Sequence, residues 1–212
     1  MNEIRHHVPD PMMRDYATGA LDYPFGLVVA SHVSLCDECR ARLHSQEALG
    51  GAALEEAAAA DLSSGLRAAV LSRLDAAPPA PAAPPRRSGI YPGPLVEALK
   101  GAPPRWKSLG LGVRQCILHA GAEGSVRLLH IPAGQAVPEH GHNGIELTLV
   151  LQGSFVDETD RFGVGDLEVA DNDLTHVPVA GPGAPCICLA ATDAPLRFKG
   201  LMPRLTQRLF RI

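Results

Sequence analysis

The sequence predicts a multidomain α + β protein, a small helical bundle followed by an antiparallel β-barrel. Three observations carry this. Apolar residues before residue 75 recur at helical spacing. A proline- and alanine-rich tract then interrupts the chain. Beyond Trp106 the pattern changes to short runs of alternating polarity separated by Gly, Pro, Asp and Asn. The expected boundaries are 1–75 for the helical part, 76–89 for a linker and 90–212 for the barrel.

Asp10 and Pro11 open the first helix, as N-cap and first helical residue, and Gly19 ends it. In the second, Phe25, Val28, Val29, His32, Val33 and Cys36 fall on one stripe at i, i+3, i+4, i+7, i+8 and i+11. Cys39 and Leu43 suggest a third helix. Leu66, Val70 and Leu74 suggest a fourth, with Ser63 as its cap. The alanine-rich segment 52–60 fits either a helix or a connection. Segment 76–88 holds Pro78, Pro79, Pro81, Pro84 and Pro85, which cannot sustain a helix and predict an extended, semi-stiff linker. The clearest strands are 113–119, 125–131, 146–152, 166–170 and 186–191, with Trp106 anchoring the first barrel strand.

Composition bounds the function. The chain has 212 residues, 46% of them hydrophobic, enough to build a core. A net charge of −4 with no basic face argues against direct nucleic-acid binding. The first residues are polar and lack the apolar run of a secretory signal, and no apolar stretch is long enough to span a bilayer. Five cysteines are an odd number, and two of them sit at metal-ligand spacing. A reduced, cytoplasmic protein with no membrane association is expected.

Two clusters carry chemistry. The first is His32-x3-Cys36-x2-Cys39. Zinc prefers four ligands in a tetrahedron and binds thiolates strongly, so a closed structural zinc site is expected. No fourth ligand is adjacent in sequence. His6 and His7 lie just before the first helix, and His7, nearer to it, is the expected fourth ligand. A bundle this small has little core of its own, and zinc binding adds on the order of 10 kcal/mol of folding free energy.

The stretch from Arg5-His6-His7 to Cys36-Asp37-Glu38-Cys39-Arg40 resembles zinc-binding anti-sigma factors. The resemblance implies a helical domain that grips an extracytoplasmic-function sigma factor through apolar helix faces and blocks its access to RNA polymerase.

The second cluster is Gly134-x5-His140-x-His142-x3-Glu146-x6-Gly153, followed by His176. His140, His142 and Glu146 are evenly spaced on an extended segment, so all three point to one face. His176 on a later strand completes three imidazoles and one carboxylate, a donor set that suits Zn, Mn, Fe or Ni. The spacing matches the first cupin motif. The second motif departs from the pattern, with Asp171-Asn172 where a proline turn is usual, which weakens the assignment of His176.

The helical module, the linker and the cupin together resemble ChrR-type anti-sigma factors. Segments 147–153, 157–163 and 186–198 carry the likeness as well. It implies release of the sigma factor in response to singlet oxygen or related reactive species, with the cupin needed for release and the helical domain sufficient for holding. The alternative is a metal-dependent cupin enzyme, a dioxygenase or hydrolase with a zinc-stapled appendage. No substrate-binding constellation beyond the metal shell favours it.

Other residues read more plainly. Cys186 and Cys188 share one side of a strand and are expected to be buried there, and Cys116 to be core. His44 is expected on a solvated helix face. Asp157, Glu158, Asp160 and Arg161 read as a polar hairpin.

Overall fold

Proline placement starts both early helices. In the computed structural model, which describes residues 3–74 and 86–198, Pro11 lies in the first turn of α1 (Asp10–Ala17) and Pro24 in the first turn of α2 (Tyr23–Val33). Pro9 takes the N-cap position of α1, and Asp10 is its first helical residue. Gly19 adopts φ +72° just past the helix end, a conformation that favours glycine.

α2 ends at Val33, so Cys36 does not ride on its stripe. The Leu35 and Cys36 amides both bond to the His32 carbonyl and close the turn. Cys36 then becomes the N-cap of α3 (Asp37–Glu55), whose first turn holds Asp37 and Glu38, favourable beside the positive end of the helix dipole. The helix absorbs Ala52–Glu55 and stops. α4 (Leu66–Leu71) is capped by Gly65, and Ser63 contributes its carbonyl to the Leu66 amide rather than its side chain. Most of the expected linker, residues 75–85, lies outside the described residues. A short helix that the sequence reading did not anticipate, α5 (Gly93–Ala98), buries Leu95 against α2.

The remainder is antiparallel: β1 (Lys107–Gly110), β2 (Val113–Gly121), β3 (Gly124–Ile131), β4 (His140–Gly141), β5 (Glu146–Gln152), β6 (Ser154–Val156), β7 (Arg161–Gly163), β8 (Leu167–Ala170), β9 (Thr175–His176), β10 (Val179–Ala180), β11 (Cys186–Thr192) and β12 (Arg197–Phe198). The main sheet runs β1-β2-β3-β11-β5-β8, and two three-stranded sheets, β10-β6-β7 and β12-β4-β9, face it. The expected barrel is therefore not closed. Pro132, Pro138, Pro178 and Pro185 flank strands β3, β4, β10 and β11, positions that cannot donate to a ladder.

Every residue from Glu146 to Leu151 is buried, because both faces of the main sheet are covered. Leu147, Leu149, Leu128, Leu189 and Ala191 share one face and form a single core with Val28, Val29 and Met13 of the helices. Val150, Leu129, Cys186 and Cys188 face the other way, toward Phe155 and Phe162. The alternation of period two thus gives the sheet two jobs. One face seats the helical unit, and the other encloses a cavity.

The chain start straps the two parts together. The Arg5 and His6 amides donate to Asp166 Oδ1 at 2.7 and 3.0 Å, and Gly163 N donates to Asp166 Oδ2 at 2.7 Å. Leu167 N returns a bond to the His6 carbonyl at 3.1 Å. Gly165 has φ +93°, and a Cβ there would lie 2.5 Å from Ile4 Cδ1, so glycine lets the strap approach.

Asp166 is buried, yet these amides hold its carboxyl below the ordinary 3.8 against the pull of desolvation. Asp166→Ala should cost on the order of 3 kcal/mol at neutral pH, since bonds to a charged acceptor are lost. A depressed folded-state pKa stabilises above the unfolded value and is lost as pH falls through the folded one. Chemical denaturation should therefore show the gap between wild type and variant constant above about pH 4 and shrinking below it.

Candidate metal centres

Local geometry builds the first cluster. His32 sits in the last turn of α2, and Cys36 and Cys39 sit on the cap and first turn of α3, so one tight corner presents all three. The strap brings in His7. His7 Nδ1 lies 3.3 Å from Cys36 Sγ and 3.6 Å from Cys39 Sγ, and His32 Nε2 lies 3.3 Å from Cys39 Sγ. A tetrahedral ion with bonds of about 2.0–2.3 Å requires donor separations on the order of 3.3–3.8 Å. The cluster fits that shell and can hold a metal ion.

Its surroundings supply hydrogen-bond donors to the sulfurs. The Cys39 amide donates to Cys36 Sγ, and Arg42 reaches Cys39 Sγ at 3.6 Å while bonding the Val8 carbonyl and Asp10. Glu38 lies 3.3 Å from His7 Nε2 and backs that ring. Burial pushes Cys39 up to about 11 and His32 down to about 4. At neutral pH His32 thus has a lone pair to give, while Cys39 needs a cation to displace its proton.

The second cluster lies on the cavity side of the main sheet. β4 pairs with β9 so that His140 stands opposite His176, and His142 follows two residues on. His176 Nε2 lies 3.1 Å from His140 Nε2 and 3.3 Å from His142 Nε2. All three rings are buried. Three ring nitrogens aimed at one point are the arrangement of a metal face rather than of a hydrogen-bond network. The opposite nitrogens are each backed by oxygen. His140 Nδ1 donates to the Pro138 carbonyl at 2.9 Å, and His176 Nδ1 donates to Asp157 at 2.7 Å. These bonds place a proton on Nδ1 and aim Nε2 at the cluster, where a cation would displace the second proton of His176.

Glu146 does not converge on the same point. Its Oε2 lies 3.3 Å from His142 Nδ1, behind that ring, and makes no hydrogen bond there. Burial raises the Glu146 pKa, but His142 and His140 outweigh it and hold the group below its ordinary range. The structure thus brings three of the four expected ligands together and sets the fourth one step back.

Two carboxylates went unassigned in the sequence reading. Asp157 belongs to the polar hairpin, yet its side chain is buried against His176. Glu168 lies 3.4 Å from the same Nδ1. Desolvation with Asp157 nearby pushes Glu168 up to about 8, whereas bonds from Glu168, His176 and Thr159 hold Asp157 low despite its burial. Burial lowers His176, but Glu168 and Asp157 carry it up to about 9. A sequence signal existed for Glu168 alone, a charge at a cavity-facing position of a short apolar strand. Cys116, Cys186 and Cys188 are buried and free. Burial, together with Cys186 itself, holds the Cys188 thiol well above its ordinary range, which leaves it unreactive.

Comparison with known proteins gives a consistent picture. Residues 99–194 match the family model described as ChrR Cupin-like domain. The chain is 55% identical over 211 residues to the anti-sigma-E factor ChrR of Cereibacter sphaeroides, covering 99% of both chains. Among solved structures it is similar to the crystal structure of Rhodobacter sphaeroides SigE in complex with the anti-sigma ChrR. There the identity is 54%, the TM-score is 0.79, and the match covers 90% of this chain and all of that one.

Cys36→Ser or Cys39→Ser should remove one metal equivalent per chain, measured by elemental analysis, and lower the melting temperature. Asp157→Asn should keep the fold but weaken metal retention at the histidine cluster by about 10- to 100-fold in a chelator competition, the usual effect of losing a backing carboxylate.

Proposed function

The chain belongs to the ChrR family of anti-sigma factors, and from that premise we propose that it binds an extracytoplasmic-function sigma factor in the cytoplasm, withholds it from RNA polymerase, and releases it in response to singlet oxygen or related reactive species. The observation that carries the reading is an uncovered apolar surface. The outer half of α3 and all of α4 bury no residue, and Leu54, Leu62 and Leu74 are 77%, 73% and 71% exposed. Leu49, Leu66, Val70 and Leu71 are exposed as well. Large apolar side chains exposed in this number over one stretch of chain suit a protein partner. The ChrR of known structure is in complex with SigE, and the relative 55% identical to this chain is an anti-sigma-E factor. A cupin-like sheet is not by itself evidence of turnover. No helix among the described residues is long and apolar enough to cross a membrane.

His7, His32, Cys36 and Cys39 hold zinc, which fixes the angle between α2 and α3 and so the shape of the gripping surface. In the cupin, His140, His142 and His176 bind a divalent cation, one of Zn, Mn, Fe or Ni, and Glu146 turns inward as the fourth ligand. The helical part, 1–75, does the holding and the cupin part, 90–212, registers the signal. The strap supplies a route between them. His176 rests on Asp157, Asp157 opens the β6–β7 hairpin, and Asp160 of the same hairpin bonds His6, the neighbour of the zinc ligand His7. His6 also packs on Phe162, with ring centroids 4.4 Å apart. A shift of His176 thus has a bonded path of few residues to the zinc site.

Co-expression with an extracytoplasmic-function sigma factor should give a 1:1 complex that fails to join core polymerase. Leu66→Asp with Val70→Asp should weaken that complex at least about 30-fold, a loss typical of an interface hot spot, with circular dichroism unchanged. A chain truncated near residue 88 should still inhibit, and His140→Ala with Glu146→Ala should empty the cupin yet spare inhibition. Free polymerase binding by the co-expressed sigma factor would overturn the reading.

A further inference from the structure

The cavity side of the main sheet carries a row of side chains that metal binding does not explain. The register places Glu168 opposite Thr148, Thr148 opposite Ala190 and Ala190 opposite Arg127, so one line of residues crosses β8, β5, β11 and β3 toward the cavity. The cavity has a volume of about 430 Å³, within the range of small-molecule sites. Its walls are mainly apolar, with Leu129, Ile131, Val137 and Phe155 among them, and His140 and His176 lie at its polar end. Arg127 lines the same space although its residue is only 6% exposed. Nη1 donates to Gln115 at 3.1 Å and Nη2 donates to Ser125 at 2.8 Å, which fixes the guanidinium plane. Glu146 partly offsets the charge.

A buried, oriented guanidinium is costly to maintain and suits recognition of a carboxylate. Three histidines and one carboxylate also leave a coordination position open on a five- or six-coordinate ion. The apolar walls disfavour a bare inorganic anion, and the volume exceeds what a diatomic or peroxide ligand fills. We propose that the cupin cavity binds a small organic carboxylate, its hydrocarbon body against Leu129, Ile131, Val137 and Phe155 and its head group between Arg127 and the metal-binding histidines. This rests on the metal centre proposed above.

The test is calorimetric titration of the full-length, metal-analysed protein with octanoate, 1-octanol and acetate. Octanoate should saturate at one per chain, with octanol and acetate each at least about tenfold weaker, a difference of about 1.4 kcal/mol. Arg127→Met should reduce the preference for octanoate over octanol at least about threefold while the metal is retained. Val137→Trp, which fills the cavity and leaves the charged groups in place, should abolish binding of both while retaining metal and fold. Equal affinity for octanoate and octanol, or an unchanged preference in Arg127→Met, would overturn carboxylate recognition. No octanoate binding to a chain that holds its cupin metal would sink this proposal and leave the metal centre standing. If the histidine cluster holds no metal, the metal reading fails. The carboxylate site then survives only if octanoate still binds through Arg127, and its absence removes both.

Discussion

The period of two in β3, β5 and β11 governs everything else in the molecule. Successive residues must point to opposite faces, so Leu147 and Leu149 seat α2 while Glu146, Thr148 and Val150 turn toward the cavity. One set of strands therefore backs the helical unit on one face and the cavity with its histidines on the other. A slip of one residue would exchange the faces, putting leucines against the histidines and Glu146 and Thr148 under the helices. The all-buried β5 ladder, paired on both sides, makes such a slip costly.

The second dependency is the strap. His7 belongs by sequence to the chain start, but its position is set from the other end of the molecule, by Asp166 and the Leu167 amide. The thiolate cluster is thus tied to the β7–β8 turn through the residue next to His7. Asp166 satisfies three amides from two segments and keeps its charge despite burial, a case where desolvation loses to specific hydrogen bonds. A charged group so placed gives register rather than adhesion, because the apolar packing of Val28 and Val29 already supplies the bulk attraction.

How much of this was legible follows from how local each feature is. The spacing His32, Cys36, Cys39 lies within eight residues and could be read directly. His140 and His142 could be read from strand parity. The two-sided burial of the sheet also had a trace, the apolar run Leu149-Val150-Leu151, which an alternating half-exposed strand would not show. Cys36 was placed on the wrong helix because the apolar stripe continues in sequence past the point where the His32 carbonyl takes two amides and ends it. Asp157 and Arg42 were not legible as site residues, and Glu168 left only the trace of a charge in a short apolar strand. Each acts through a partner brought in by tertiary packing, and a solvated hairpin Asp and a buried one look identical in a string. The open sheet was equally hidden, since closure depends on ladder pairing around prolines rather than on strand count.

In the proposed function, the length of α3 gives a small disturbance in the cupin a means of acting at a distance. α3 is 19 residues long, about 28 Å from its cap to its end. Its cap residue, Cys36, and its first-turn residue, Cys39, belong to the thiolate cluster, and its far half bears the exposed leucines. The helix is anchored at one end and free at the other. A tilt of about 10° at the cluster moves the tip by about 5 Å on that length, enough to pull apolar contacts beyond van der Waals range. A grip built this way needs no large refolding to be lost. Loosening the strap that holds His7 changes the ligand geometry at the pivot, and the length of α3 does the rest.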